Sequence, residues 1–436
     1  TPRSLRPYEH AAVAYRLGLA YAESPVGSRG ELLRKALACF DVAAAIFDPR
    51  FDPVEHARVL NAAGACHRAL GDRRKAVELF EKAADLLEGR ERDDERAAAL
   101  NNLGLARTEL GQPEAAVEAF DVAAELFDTG TPDGRRGRVA TLHNRGQAHA
   151  AMGTAEGVEA ALADYDEAQD DLDADEAPYH YGLVHHSIGA AVSALAALRP
   201  DERDRLLREA VEAFSASLTV FTRFAFPYQH ALAKHNLGLA YAGIADVLAQ
   251  QPGRGGKSRL QYLRRALASF EDGVAMLDTR LHSDAWKQAY ASLSRAEQEL
   301  APDAGGASRA EHFTALLAGT DEDERAALLR ERLARLLALP DPGRARALAE
   351  LATASLRWGR DSAQLIMEAE LAFLMEQPTE LLEVALRARF AAHQQLPDDE
   401  REEADRALDD AIGAALGAPQ RVFVRDFLYS IGWERP

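Results

Sequence analysis

The chain has 436 residues, two to three times the usual length of a single-core domain, so it is either multidomain or a repeat array whose core grows by stacking. With 47 % apolar and 28 % charged residues it is too hydrophobic for general disorder, and no run of about 18 uninterrupted apolar residues offers a membrane span. Its 51 basic against 70 acidic side chains, a net charge of −19, argue against general nucleic-acid binding and against anionic membranes, both of which need a positive surface.

In chain order, the opening TPRSLRPYEHAA has no apolar stretch behind its basic residues. No signal peptide is therefore read there and a cytoplasmic location is expected, conditional on the chain starting at Thr1 rather than Met. Two cysteines, Cys39 and Cys66, cannot form a disulfide framework or a four-thiolate zinc site; both read as small core residues. The 45 arginines against 6 lysines, with abundant alanine, suggest a GC-rich genome and a bacterial protein.

A repeat then dominates the sequence. Gly18 is followed by Ala36, Phe40 and Ala43; Gly64 by Ala76, Phe80 and Ala83; and Gly104 by Ala116, Phe120 and Ala123. It recurs as Gly146 with Ala161, Tyr165 and Ala168, Gly189 with Ala210, Phe214 and Ser217, and Gly238 with Ala266, Phe270 and Gly273. Seven residues after each aromatic stands a large apolar residue: Phe47, Leu87, Phe127, Leu172, Phe221 and Leu277. Small residues let two antiparallel helices approach, and the aromatic and the residue seven later form one stripe toward the next pair. One pair cannot bury that stripe and stacked pairs can, which predicts an all-α solenoid with capped ends.

The segments AAGACHRALGD (62–72), NNLGLARTELGQ (101–112) and HNLGLAYAGIA (235–245) carry a resemblance. They resemble the tetratricopeptide repeat (TPR) family, with Leu-Gly-x-x-Tyr in the first helix and Ala-x3-Phe-x2-Ala in the second. The match runs from about residue 8 to 280. Its Gly-to-Gly spacings of 46, 40, 42, 43 and 49 exceed the family's usual repeat of about 34. In this they are similar to kinesin-light-chain-type repeats, a resemblance that implies peptide binding in a groove.

Residues 279–300, with Trp286, Tyr290 and Leu293 at helical spacing, read as a capping helix, and APDAGGAS (301–308) as a boundary. The expected organisation is a repeat solenoid with its cap over 8–300 and a C-terminal helical region over 309–436. That region is either a separate domain or a degenerate continuation of the solenoid, with breaks near Gly319, Pro340, Pro378 and Pro397. The last segment, RVFVRDFLYSIGWERP, is either a final helix docked on its own domain or a detachable apolar piece that enters a groove.

Aligning the repeats on their glycines gives two polar rows. Three residues before each Gly stand Tyr15, Asn61, Asn101, His143, His186 and His235; two before stand Arg16, Ala62, Asn102, Asn144, Ser187 and Asn236. The resemblance implies that the first row faces the concave groove. Asparagine there can both donate to and accept from a peptide main chain, while the competing reading has these side chains bonding within the solenoid. Arg58 and Arg68 of the second repeat suit a carboxylate, as a partner's chain end or acidic side chain, or are solvated surface arginines. The family's two-carboxylate clamp is matched only in its asparagines, so a chaperone-tail receptor is not supported.

Other patterns carry less. His180, His185 and His186 are spaced by five and one, which does not put two metal ligands on one helix face. PGRGGKS (252–258) lacks the first glycine of a phosphate-binding loop, and Arg254, Lys257, Arg259, Arg264 and Arg265 there make a local basic patch. No nucleophile elbow, no cysteine with a suitable histidine and no H-E-x-x-H occurs, so no catalytic residue, metal or cofactor is expected and an enzyme is the weaker reading. The expected function is an interaction scaffold or adaptor that binds a protein or peptide partner in its groove, with no nucleic acid and no membrane. A peptide-responsive regulator and a non-catalytic companion of a bacterial enzyme are the alternatives. The oligomeric state is left open.

Overall fold

The computed structural model describes residues 6–172, 174–250, 256–304 and 307–434. They are overwhelmingly helical, and none lies in a strand. The chain divides into two compact units, 1–233 and 234–436, a division that falls well before the 301–308 segment.

The first unit contains α1 (Pro7–Glu23), α2 (Arg29–Ala44), α3 (Pro53–Ala69), α4 (Arg73–Leu87), α5 (Asp93–Glu109), α6 (Pro113–Leu126), α7 (Pro132–Ala151), α8 (Ala155–Asp170), α9 (Pro178–Leu198) and α10 (Arg203–Val220). Proline in the first turn of α1, α3, α6, α7 and α9 fixes φ where no backbone donor is needed. Asp72, Thr131 and Thr154 cap α4, α7 and α8 by accepting from the amides of Lys75, Gly134 and Gly157. Between first and second helices, Gly71, Gly111 and Gly153 take positive φ of 88°, 73° and 72° and reverse the chain.

Each odd helix packs antiparallel on the next, and each pair packs on the pair after it. The reason is visible at the repeat glycines. A Cβ on Gly18, Gly64, Gly104, Gly146 or Gly189 would lie 2.4–2.7 Å from the ring of Phe40, Phe80, Phe120, Tyr165 or Phe214. Those rings are fully buried. The aromatic therefore fills the contact inside its own pair as well as the space toward the next. The first unit is an all-α solenoid of stacked antiparallel helix pairs. α9, with mean hydropathy 1.3, is long and apolar enough to span a membrane by composition, yet it is the first helix of the fifth pair, with Val184, Gly189, Val192 and Leu195 buried.

α11 (Pro227–Ala249) starts in the first unit and runs across the division at 233/234. The second unit continues with α12 (Gly256–Met276), α13 (Ser283–Ala304), α14 (Arg309–Ala318), α15 (Glu322–Leu337), α16 (Asp341–Ser355), α17 (Arg360–Leu374), α18 (Thr379–His393), α19 (Asp398–Ala415) and α20 (Ala418–Ser430). The sixth glycine keeps its partner here, since a Cβ on Gly238 would lie 2.6 Å from the Phe270 ring. α13 lies on α12 through Leu293, Ala296 and Leu300. Of the aromatic pair expected to seat it, Trp286 and Tyr290 stack on each other at 5.0 Å and Tyr290 is exposed.

From α14 onward the packing changes: α14, α16, α18 and α20 contact in series, as do α15, α17 and α19, so alternate helices pack in two rows around one core. The final segment is a docked helix. Val424, Leu428 and Trp433 are buried in that core and the Trp433 indole donates to Asp405 Oδ1 at 3.1 Å, whereas Phe423 is exposed. Cys66 is buried, but Cys39 is only half-buried, so only one of the two thiols is the core residue expected.

Candidate functional site

The two polar rows of the first unit are brought together with a stagger. A residue two before one glycine bonds to the residue three before the previous glycine. Asn102 Nδ2 donates to Asn61 Oδ1 at 3.0 Å, and Asn144 Nδ2 donates to Asn101 Oδ1 at 3.0 Å. Ser187 Oγ meets His143 Nε2 at 2.9 Å in the same relation one repeat on. Thr141 Oγ1 adds a second bond to Asn101 Oδ1 at 3.2 Å, which saturates that oxygen. The first helices α3, α5, α7 and α9 are thus joined by a polar ladder.

The ladder uses only part of each amide. Nδ2 of Asn61, Nδ2 of Asn101 and Oδ1 of Asn102 make no hydrogen bond among the described residues, and none of these atoms is sealed from solvent. Two donors and one acceptor are therefore held in fixed orientation, each by the bond its other half makes. At the start of the row Tyr15 packs its ring at 5.9 Å from Phe40, and burial raises its hydroxyl pKa. Ala62 makes no rung to it. Further along, burial holds the imidazoles of His143 and His186 far below the usual range, each at about 4, so both are neutral at pH 7. His235 and Asn236 belong to the second unit, where His235 lies 5.6 Å from Phe270 and burial lowers its pKa.

Arg58 and Arg68 meet carboxylates of the chain itself. Arg58 pairs with Glu95 in the next repeat through two bonds of 3.0 and 2.6 Å, which raises its pKa, and Arg68 pairs with Glu109 at 3.1 Å. His185 packs on Tyr181 at 4.3 Å, and His180 faces a crevice of about 20 Å³ beside Arg136, with a pKa lowered by burial and by that arginine. No group of three or more His, Cys, Asp or Glu suited to a metal occurs among the described residues. Most of PGRGGKS lies outside the described residues, Arg254 among them, and nothing is described of the Lys257 side chain. Arg259 and Arg265 pair with Glu299 and Glu324, and Arg264 sits 5.8 Å from the Trp358 ring. The described arginines of that expected patch are thus occupied within the chain.

Two ionic clusters carry no sequence motif. In the fourth pair Asp164 accepts from Arg145 at 2.8 Å and meets His149 Nδ1 at 2.6 Å; burial still raises its pKa. In the second unit Lys234, Arg332 and Arg335 are matched with Glu271, Asp272 and Glu331, including Arg335 to Asp272 at 2.8 Å and Lys234 to Asp272 at 3.6 Å. Burial works against the charge on Lys234, but Glu331 and Asp272 outweigh it and hold its pKa above the usual lysine value. The two polar rows of the ladder were within reach of the sequence, though not their stagger; the partners of these buried ions, tens of residues apart, were not.

No family model and no curated protein matches the chain. Among solved structures the chain is similar to a Podosopora anserina protein of nearly identical kinesin light chain TPR-like repeats, at 19 % identity over 49 % of this chain and 96 % of that one, with a TM-score of 0.35. A single-substitution form of that protein matches at 17 % identity over 50 % of this chain and 99 % of that one, with a TM-score of 0.36. The TPR domain of P58(IPK) aligns at 12 % identity over 97 % of this chain and 99 % of that one, with a TM-score of 0.25.

Proposed function

We propose that the chain is a protein-interaction scaffold whose first unit binds an extended segment of a partner protein along Tyr15, Asn61, Asn101 and His186, with the buried His143 of the same row serving the ladder instead. The observation that carries this reading is the divided asparagine. Asn61, Asn101 and Asn102 each spend one half of the amide on the ladder and present the other half to solvent. A peptide main chain offers alternating acceptors and donors, so such halves recognise backbone with little demand on sequence. Each bond contributes only about 0.5–1.5 kcal/mol net, so affinity comes from several acting together.

The test separates the two halves of each amide. Asn61→Asp with Asn101→Asp keeps the oxygens that the ladder uses and removes the free donors. Peptides selected from a random display library on the full wild-type chain should bind the double variant at least roughly tenfold more weakly, about 1.4 kcal/mol. Its melting temperature should stay close to that of the wild type. Selected peptides that bind both proteins equally would leave the ladder with a structural role only.

A further inference from the structure

The two asparagine rungs of the ladder are equivalent. Asn102 donates to Asn61, and Asn144 to Asn101, through the same atoms at the same 3.0 Å. The donors that make no bond among the described residues, Asn61 Nδ2 and Asn101 Nδ2, are therefore offset by one repeat. That offset is the spacing of α3 and α5, two first helices in direct contact, and contacting helices lie about 8–10 Å apart. Main-chain acceptors that meet both donors must recur at this distance along one side of the ligand.

Regular backbones differ in that recurrence. In a β-strand the carbonyls of one side return every second residue, at about 6.7 Å and then at about 13 Å, which misses the spacing from below and from above. An α-helix spends its carbonyls on its own amides. A polyproline II helix has three residues per turn, each rising about 3.1 Å, so its carbonyls return on one side every ~9.3 Å and none is bonded internally. The polarity of the row agrees with this. Two donors stand against one open acceptor, Asn102 Oδ1, and proline keeps its carbonyl while giving up its N–H. The helix faces beside the donors are apolar: one turn after them stand Ala65, exposed, and Leu105, half-buried, and Ala98 stands three before Asn101. Arg58, three before Asn61, is already paired with Glu95, so this stretch asks for no ionic partner.

Building on the groove binding described above, we propose that Asn61 and Asn101 hold a proline-rich segment of a partner protein in a polyproline II helix, with one main-chain carbonyl on each amide and three residues from one carbonyl to the next. Prolines three residues apart lie against Ala65 and Leu105, and a non-proline residue between them donates its N–H to Asn102 Oδ1. The next residue of the row, His143, is buried, so the periodic contact ends there.

The probes are two dye-labelled peptides of twelve residues, acetylated and amidated: four Pro-Pro-Ala triplets, which form the helix, and four Gly-Ser-Ala triplets, which do not. Fluorescence anisotropy with the full chain should show saturable one-to-one binding of the first, at least roughly tenfold tighter than the second, and Asn61→Asp with Asn101→Asp should remove that advantage. Peptides selected on the full chain from the random library should carry prolines three residues apart. Equal binding of the two synthetic peptides would overturn the polyproline assignment, as would selected peptides that the double aspartate variant weakens but that lack this spacing; both results leave the groove in place. Selected peptides that bind the wild type and the double variant equally would remove the groove and the polyproline assignment together.

Discussion

The two units solve the burial problem in opposite ways. In the first, the aromatic of each repeat sits on the glycine of its own pair and every pair touches its neighbours, so contacts are close in sequence and the buried polar groups are few. In the second, alternate helices share one core and charges are buried in pairs: Glu370 with Arg389, Arg332 with Glu271, and Lys234 with Glu331 across 97 positions. A one-dimensional stack can open locally, whereas a shared core with buried ion pairs must open as a whole. All three tryptophans, Trp286, Trp358 and Trp433, lie in the second unit, so indole fluorescence reports on it alone while far-ultraviolet circular dichroism reports on both.

The largest effect is expected in the second unit. Arg389, buried among Glu370, Ser355 and the Ala352 carbonyl, leaves a buried carboxylate unpaired when it is lost. Arg389→Met should cost about 3–5 kcal/mol in urea unfolding followed by tryptophan fluorescence. A loss below about 1 kcal/mol would mean that the pair is not sealed from water.

Phe80→Ala should cost a similar or slightly smaller amount, about 3–5 kcal/mol, because the ring fills the contact with Gly64 and the face of α5. The loss should appear in the dichroism transition and leave the tryptophan transition in place. Coincident shifts of both would break the distinction between the units.

Acid sharpens the comparison further. His143 and His186 are held neutral in the folded first unit down to about pH 4, while in the unfolded chain they take up protons near the ordinary histidine value of 6.5. The unfolded state therefore binds more protons between these values, and stability falls as the pH drops from 6.5 toward 4. For His143 alone the shift corresponds to roughly 3 kcal/mol. His143→Gln should flatten the pH dependence of the dichroism transition, and a wild-type stability that stays level over this range would contradict the burial of these rings.

The smallest effect belongs to the ladder. Asn61→Asp with Asn101→Asp retains the accepting oxygens, so the stability change should stay within about 1 kcal/mol. Asn101→Ala removes the acceptor of both Asn144 and Thr141 and should cost more than the double aspartate variant. The reverse order would show that the ladder does not use these oxygens.

The first unit was legible because its physics repeats. Each glycine that admits a ring marks a helix pair, and prolines and capping residues mark where the helices start. The polar rows were visible too, but their stagger arises from the offset between neighbouring first helices, which no single repeat encodes. In the second unit no period survives beyond α12, and charged residues that look solvated, such as Arg332 or Glu370, are buried by partners far along the chain. Tyr290 and Phe423 show the converse, apolar residues at helical spacing that do not enter the core.

Hydrogen exchange resolved along the chain tests the central contrast most directly, with Phe80→Ala and Arg389→Met compared with the wild type. The stacked-pair account predicts that Phe80→Ala speeds exchange most in α3, α4 and α5 and least in α9 and α10, while Arg389→Met speeds it uniformly from α14 to α20. Uniform loss of protection across the first unit with Phe80→Ala, or loss confined to α18 with Arg389→Met, would contradict it.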